Sequence, residues 1–455
     1  MKRLIGLLFV ICHLCPAGAQ PWTIHQCMRY AVEHNHEVKR RELELDNYKT
    51  GETGAIGRFL PEVDAGIGAQ YNFGRAIDPE TNGYTDVSTF YNGYSLSASL
   101  PVFDGFNRLH ALRAAKAGVL MGRMTLRQQQ DQTALNVLQA FTNAAYYKGL
   151  VKMAEEKVEE TTLLLRQTRI LEEVGRKSAA DVAQVESQQA EANYELTRQQ
   201  NLLASALLDL KKEMAFPITD TLSLSFLKDQ TLTPSETSSE SITYRQSLAQ
   251  EHPELMALRY QMQTSKHEWY QARASLFPSL SLNAGLNTTY YHTQHSDVGQ
   301  SFRNQFKNNM GEYFGVTLSI PLFNRLQTIT SIRRAKNNYQ IACEDYEQKQ
   351  LELDKLCREA WQDWHGYLIL TEQMKKKVHA DSLAYQLTRR QFEEGLSTVI
   401  DLHTTSSQLL KSKATLLQCQ LMAMVKEQLV RYYNGETIWI RERRAEFTPA
   451  IPSSK

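Results

Sequence analysis

Two histidine pairs, the four scattered cysteines that follow residue 19 (of six in all) and two acids that follow glycines are the side chains of this 455-residue chain whose types could do chemistry. His34 and His36 stand two residues apart, and His292 and His295 three apart, spacings at which imidazoles can share a metal ion. Neither pair has a further Cys, His or carboxylate at a fixed offset, so both read as solvated histidines and no metal is expected. Cys27, Cys343, Cys357 and Cys419 lie far apart without C-x-x-C spacing, and read as isolated thiols rather than a disulfide framework. The remaining acids run along charged helix surfaces instead of converging in a pair. No catalytic residue and no cofactor are expected.

Asp181 and Asp401 differ from the other acids because their surroundings repeat. Gly175 precedes Asp181 by six residues, and Gly395 precedes Asp401 by the same step, 220 positions later. A glycine at this place can end a helix in the left-handed conformation. Ser178 and Thr398, each three residues before its acid, then read as N-caps of the next helix, with the acid near that helix's positive end. The chemistry is structural: each motif is the tip of a helical hairpin. Gly175, Lys177, Ser178 and Asp181 form the first tip, and Gly395, Ser397, Thr398 and Asp401 the second.

The duplication extends well beyond the tips. Phe141 and Tyr147 return as Trp361 and Tyr367, Leu100-Pro101-Val102-Phe103 as Ile320-Pro321-Leu322-Phe323, and Thr23 and Gln26 as Thr243 and Gln246, all offset by 220. Pro61 and Pro278 are offset by 217, which marks a three-residue indel near the front of the unit. A repeat of this length is a copied half-molecule rather than a solenoid unit. The chain divides into a first repeat over 20–216, a linker over 217–240, a second repeat over 241–435 and a tail over 436–455.

Residues 1–19 read as a secretory signal peptide: Lys2 and Arg3, an apolar run from Leu4 to Leu14, and an Ala17-Gly18-Ala19 cleavage site. Leu14 is bulky where lipid attachment at Cys15 would want a small residue. The formal net charge is +1, and loss of Lys2 and Arg3 with the leader brings it to −1, which leaves no basic surplus of the kind a nucleic-acid partner would want. No later stretch is apolar for long enough to span a bilayer as a helix.

Four short segments alternate apolar and polar residues. In 62–73, Val63, Ala65, Ile67, Ala69, Tyr71 and Phe73 alternate with Glu62, Asp64, Gly66, Gly68, Gln70 and Asn72. Comparable patterns occupy 91–102, 279–291 and 312–321. Their period of two and length near ten residues suit tilted transmembrane β-strands. Tyr71, Phe73, Tyr91, Tyr94, Tyr290, Tyr291, Tyr313 and Phe314 gather near strand ends as an interfacial girdle. Loops 74–90 and 292–310 are polar, as extracellular loops would be.

The rest reads as helix. Asp104 to Val174 and 322–394 are long outgoing helices, the first roughly 105 Å at 1.5 Å per residue. Half-length helices come in over 23–58 and 243–276, the first from a Thr23–Gln26 capping box, and return over 179–214 and 398–433. Ala134, Leu138, Phe141 and Ala145, and in the second copy Leu353, Leu356, Ala360 and Trp364, have coiled-coil spacing. Leu222, Leu224 and Phe226 alternate as a short strand in the linker. Four strands cannot close a barrel, for which about eight is the minimum. The chain must therefore pool strands with copies of itself: a mainly α protein with a transmembrane β-barrel portion continuing into a long periplasmic α-helical barrel.

The duplicated Phe59-Leu60-Pro61 and Leu276-Phe277-Pro278, the Leu-Pro-Val-Phe-Asp-Gly run at 100–105 echoed at 320–324, and the two tips resemble the TolC-like family of outer-membrane efflux proteins. Ala31 to Val38 and Glu251 to Leu255 resemble its first-helix signature, with His36 where the family usually has proline. The resemblance implies a homotrimer with a twelve-stranded barrel in outer-membrane lipid. It implies the exit duct of a tripartite efflux or type I secretion system, with a periplasmic adaptor and an inner-membrane pump of RND or ABC type as partners. The tips would be the periplasmic mouth, where the adaptor docks and the pore constricts. Family members often carry an arginine two residues after the second tip glycine and a further acid past the aspartate. Here those positions are Ser397 and Thr404, leaving Lys177 as the substitute cation. The alternatives are a protein or peptide secretion duct of the same fold, and a periplasmic coiled-coil adaptor without a pore.

Overall fold

The computed structural model describes residues 21–77, 83–86, 88–225, 252–293 and 301–439. The leader, His295, Thr243, Gln246, Phe226, much of the linker and the end of the tail lie outside them. The elements run α1 (Ile24–His34), α2 (His36–Gly57), β1 (Glu62–Asn72), β2 (Arg75–Ile77), β3 (Tyr84–Asp86), β4 (Thr89–Phe103), α3 (Asn107–Glu173) and α4 (Ala179–Met214). After the linker come α5 (Pro253–Ala274), β5 (Ser279–Thr293), α6 (Phe302–Asn308), β6 (Gly311–Ser319), α7 (Gln327–Glu393) and α8 (Val399–Tyr433). Both outgoing helices are 67 residues long, about 100 Å each. Among the described residues no helix is apolar enough to cross a membrane.

The chain forms two compact units that cut across the sequence repeats. One holds residues 43–125 and 254–349, the other residues 1–42, 126–253 and 350–455. In the first unit four strands form one sheet in the order β1-β4-β5-β6, every pair antiparallel. The register sorts the two faces. Ala65, Leu96, Leu286 and Glu312 share one row, and Leu100, Leu282 and Val316 another, on a face that is otherwise mostly apolar. Glu62, Ser99, Asn283 and Gly315 share a row on the opposite face, where Ser99 donates to Asn283 (3.0 Å) and Asn283 donates diagonally to Thr317 of the next row on that face (3.1 Å). An apolar face against lipid and a hydrogen-bonded polar face against water is what a membrane barrel wall requires.

The register also divides the aromatic girdle. Tyr71, Tyr94, Tyr290 and Phe314 fall on the apolar face, whereas Tyr91, Tyr291 and Tyr313 fall on the Ser/Asn face, because neighbouring residues in a strand point to opposite sides. The segments expected to be loops carry structure of their own. Residues 75–77 and 84–86 pair as a small ribbon, and α6 lies within 292–310. Gln305 bonds both the N–H and the C=O of Tyr291 at 3.0 Å, and Asn309 reaches the Thr289 carbonyl at 2.8 Å. These side chains occupy the stretch of β5 that extends past β6, which would otherwise be an open strand edge.

In the second unit the core joins Cys27, Met28 and Ala31 of α1 to Val137, Leu138 and Phe141 of α3 and Leu210 and Met214 of α4. The helical seam differs by one position from its expected course. Ala144 rather than Ala145, and Cys357 rather than Leu356, are the buried members beside Phe141 and Ala360. The incoming helix is not continuous over 23–58. Asn35 breaks it in an extended conformation, its side chain accepting from the Glu37 N–H (2.8 Å) and donating to the Glu213 carbonyl (3.1 Å). That leaves His36 at the first helical position of α2, the one place in a helix where a proline costs nothing. Trp22 and Leu224 form an isolated parallel bridge, all that is described of the linker strand.

Candidate functional site at the two helical tips

Both tips belong to the second unit and are built alike. At the end of α3, Gly175 adopts φ +78° and donates to the Glu172 carbonyl (2.8 Å), and Arg176 donates to Leu171 (2.8 Å). At the end of α7, Gly395 adopts φ +81° and donates to Phe392 (3.0 Å), and Leu396 donates to Gln391 (2.7 Å). Each is a Schellman ending, in which a left-handed glycine lets two amides satisfy the last free carbonyls.

The following helices start from reciprocal capping boxes. Asp181 N–H donates to Ser178 Oγ (3.2 Å), while Ser178 N–H (3.0 Å) and Oγ (2.8 Å) donate to Asp181 Oδ2. In the second tip Asp401 N–H donates to Thr398 Oγ1 (3.1 Å), and Thr398 returns both its N–H (3.1 Å) and its hydroxyl (2.6 Å). The backbone and side-chain bonds from Ser178, with the Lys177 charge, hold Asp181 below the usual carboxylate range. Bonds from the hydroxyl and backbone of Thr398, then from Ser397, do the same for Asp401.

The tips differ at the residue two past the glycine. Ser397 turns its hydroxyl onto Asp401 Oδ2 (3.3 Å), so the second acid accepts from three groups of its own tip. Lys177 instead places its ammonium 4.4 Å from the centre of the Phe392 ring, across to the other hairpin. Phe392 is buried with Leu165, Val182, Val185, Val399 and Leu402, a small core shared by α3, α4, α7 and α8. Thr404 bonds back to the Ile400 carbonyl (2.8 Å) within its helix.

A polar knot beside this core ties the same helices. Lys157 of α3 reaches Glu160 (3.1 Å) and Ser406 of α8 (2.5 Å), and Tyr385 of α7 donates its hydroxyl to Glu160. Burial, then the bond to Glu160, pushes the Tyr385 phenol up, so it stays a donor at neutral pH. Sequence reasoning found the caps and missed Phe392, Lys157, Glu160, Tyr385 and Ser406. The only signal for Phe392 was its place on an otherwise polar last turn, three residues before the tip glycine.

His34 stacks on Tyr30 at 4.1 Å between ring centres, and His292 stands opposite Phe90 at a strand end. Burial pushes the Cys27 thiol up to about 12 and Cys357 to about 11, which keeps both protonated and unreactive.

With these tips, a duplicated chain and a two-faced sheet on the page, comparison with known proteins decides the family. The model of the outer membrane efflux protein family matches residues 28–214 and 244–431. The chain belongs to that family. Its two matched segments follow the internal repeat, with the linker between them. The chain is 23% identical to the outer membrane efflux protein BepC of Brucella suis over 361 residues, 78% of this chain and 73% of the relative. It is 20% identical to the alkaline protease secretion protein AprF of Pseudomonas aeruginosa over 376 residues, covering 80% and 75%. Among solved structures it resembles the outer membrane protein VceC of Vibrio cholerae (TM-score 0.77, 12% identity, 91% and 96% covered). It also resembles the CmeC outer membrane channel of Campylobacter jejuni (TM-score 0.77, 14% identity, 90% and 85% covered). The fold is TolC-like, and this outer membrane efflux protein has the outer membrane as its place.

Proposed function

We propose that three copies of this protein close a twelve-stranded barrel and form the exit duct of a tripartite export machine, fed by an inner-membrane pump through a periplasmic adaptor. The observation that carries this reading is the four-stranded sheet with one apolar face, one hydroxyl- and amide-lined face, and two outer strands that have no strand on their far side among the described residues. Four strands fall short of closure, and three sets give a bore wide enough for cargo. The tips at 175–181 and 395–401 form the periplasmic mouth and the adaptor's docking site in this reading. Exposed Val174, Leu396 and Ile400 offer apolar contact there. The mouth cannot be closed by an arginine at position 397, which is serine, so its constriction rests on how the two hairpins are held together.

Deletion of the gene should raise sensitivity to several unrelated toxic compounds, and the protein should fractionate with the outer membrane. Recovery of the mature protein in the soluble periplasm would sink the duct and leave the adaptor reading. The similarity to AprF favours a second reading, a duct for a secreted protein. Unchanged drug sensitivity together with loss of one secreted protein would select it.

A further inference from the structure

The helix α6 is seven residues long, too short to persist in water without support. Three contacts hold it where β5 runs on past β6. Gln305 is only 2% exposed because it takes both backbone polar groups of Tyr291 at the open strand edge. Thr288, 5% exposed, donates its hydroxyl to the Phe306 carbonyl (2.7 Å). The Phe302 and Phe306 rings pack on Tyr94 at 6.2 and 5.4 Å between centres, and Phe302 also meets Tyr290 at 5.2 Å. Tyr94, Thr288 and Tyr290 lie on the apolar face of the sheet, so α6 is laid over that face rather than over the Ser/Asn face.

Glu312 sets the height of this contact in the membrane. Leu318, Val316 and Phe314 follow one another along the apolar face of β6, and Glu312 is the next residue on it. A carboxylate is costly in hydrocarbon, so the lipid-facing band ends at this row, which Leu286 of β5 shares. Thr288, where α6 makes contact, is one row further out on the same face. The helix therefore lies at headgroup level, at the end of the strands away from the periplasmic helices.

The free flanks of α6 suit that level. At 3.6 residues per turn, Arg303 and Lys307 share one flank, about 100° around from Phe302 and Phe306. Asn304 and Asn308 share the next, about 100° further on. All four are exposed, and α6 itself carries no acid. Phe302 leaves 47% of its surface open beside the two cations. Rings toward the apolar face, a basic flank and then amides toward water is the order of a helix lying flat in a bilayer interface.

We propose that Arg303 and Lys307 bind the phosphate groups of a phosphorylated glycolipid in the outer leaflet, with the open side of Phe302 against its acyl chains. This rests on the reading that the apolar face of the sheet meets lipid. Arg303 presents a planar fork to a phosphate and Lys307 a point charge. The ring beside them selects a lipid over a soluble anion, because only a lipid brings acyl chains to cover it.

Native mass spectrometry of the full-length protein in detergent tests this, with diphosphoryl lipid A as one probe and its dephosphorylated form as the other. The unsubstituted protein should prefer the phosphorylated probe, and equal affinity for both would overturn the proposal without any variant. Arg303→Gln with Lys307→Gln should weaken binding of the phosphorylated probe about tenfold, the effect of 1.4 kcal/mol, and remove the preference. The exchange Arg303→Lys with Lys307→Arg should restore it. Lys152→Gln with Arg166→Gln removes the same charge from exposed positions on α3 and should leave the affinity unchanged. Undiminished binding by the Arg303/Lys307 variant, or an equal loss in the α3 variant, would overturn the site. Displacement of the lipid by inorganic phosphate would show a soluble-anion site and overturn the lipid assignment. Failure of the unsubstituted protein to reach the outer membrane would instead overturn the duct reading itself.

Discussion

Replacing Phe392 by alanine should loosen both tips at once, because one ring ties two hairpins together. The side chain is 4% exposed and packs with Leu165, Val182, Val185, Val399 and Leu402, which come from α3, α4 and α8. Truncating a buried phenylalanine costs about 3–5 kcal/mol, transfer and cavity together. The lower end applies here, since neighbouring Leu396 and Ile400 are 76% and 63% exposed and the site can collapse. Lys177 adds its ammonium 4.4 Å above the ring, worth about 0.5–1 kcal/mol at such a surface position. Native-state hydrogen exchange of the amides at 176–182 and 396–402 reads the local opening free energy. At 1.4 kcal/mol per factor of ten, a loss of about 3 kcal/mol accelerates exchange roughly a hundredfold. Phe392→Leu keeps the burial and removes the ring face, so a double-mutant cycle with Lys177→Met should return the cation–ring share alone. Acceleration confined to 396–402 would refute the shared core, and a coupling of zero would refute the Lys177 contact.

Four further outcomes follow from the structure. Thr398→Ala and Ser178→Ala should each cost about 1 kcal/mol of local stability at their tip, with Thr398→Ser restoring it, as read by the same exchange experiment. Because Asp181 and Asp401 titrate below their ordinary value of 3.8, their support is fully present above it and is lost as pH falls through the lowered values. Tip exchange corrected for intrinsic rate should therefore be flat from pH 5 to 8 and rise in stronger acid, and a rise between pH 5 and 7 would contradict the assignment. Gly285→Ala would place a Cβ 2.6 Å from the Tyr313 ring, and should destabilise the barrel by about 1–3 kcal/mol in urea titration, with Tyr313→Ser relieving it. Arg325→Gly removes a left-handed side-chain-bearing residue at the strand-to-helix turn and should be neutral or stabilising by about 1 kcal/mol.

The sequence by itself determined whatever depends on a few neighbouring residues. The helix α4 spans Ala179–Met214, the range read from its cap and periodicity, because Ser178, Asp181 and the glycine before them set a helix start through bonds no longer than four residues. The strands were legible for the same reason: alternation shows which side chains need lipid and which need water. The duplication was legible because offsets need no structure. Tertiary structure alone decided the sheet order and the pairing of Leu96 with Leu286, since these join residues about 190 positions apart. It also decided that Lys177 turns to Phe392 while Ser397 turns to Asp401, and that Lys157, Glu160, Tyr385 and Ser406 meet. Caps and turns are short-range chemistry written in order along the chain. Which helix a side chain meets is set by how the hairpins pack, and a polar last turn with one phenylalanine gives no hint of its partner until that packing exists.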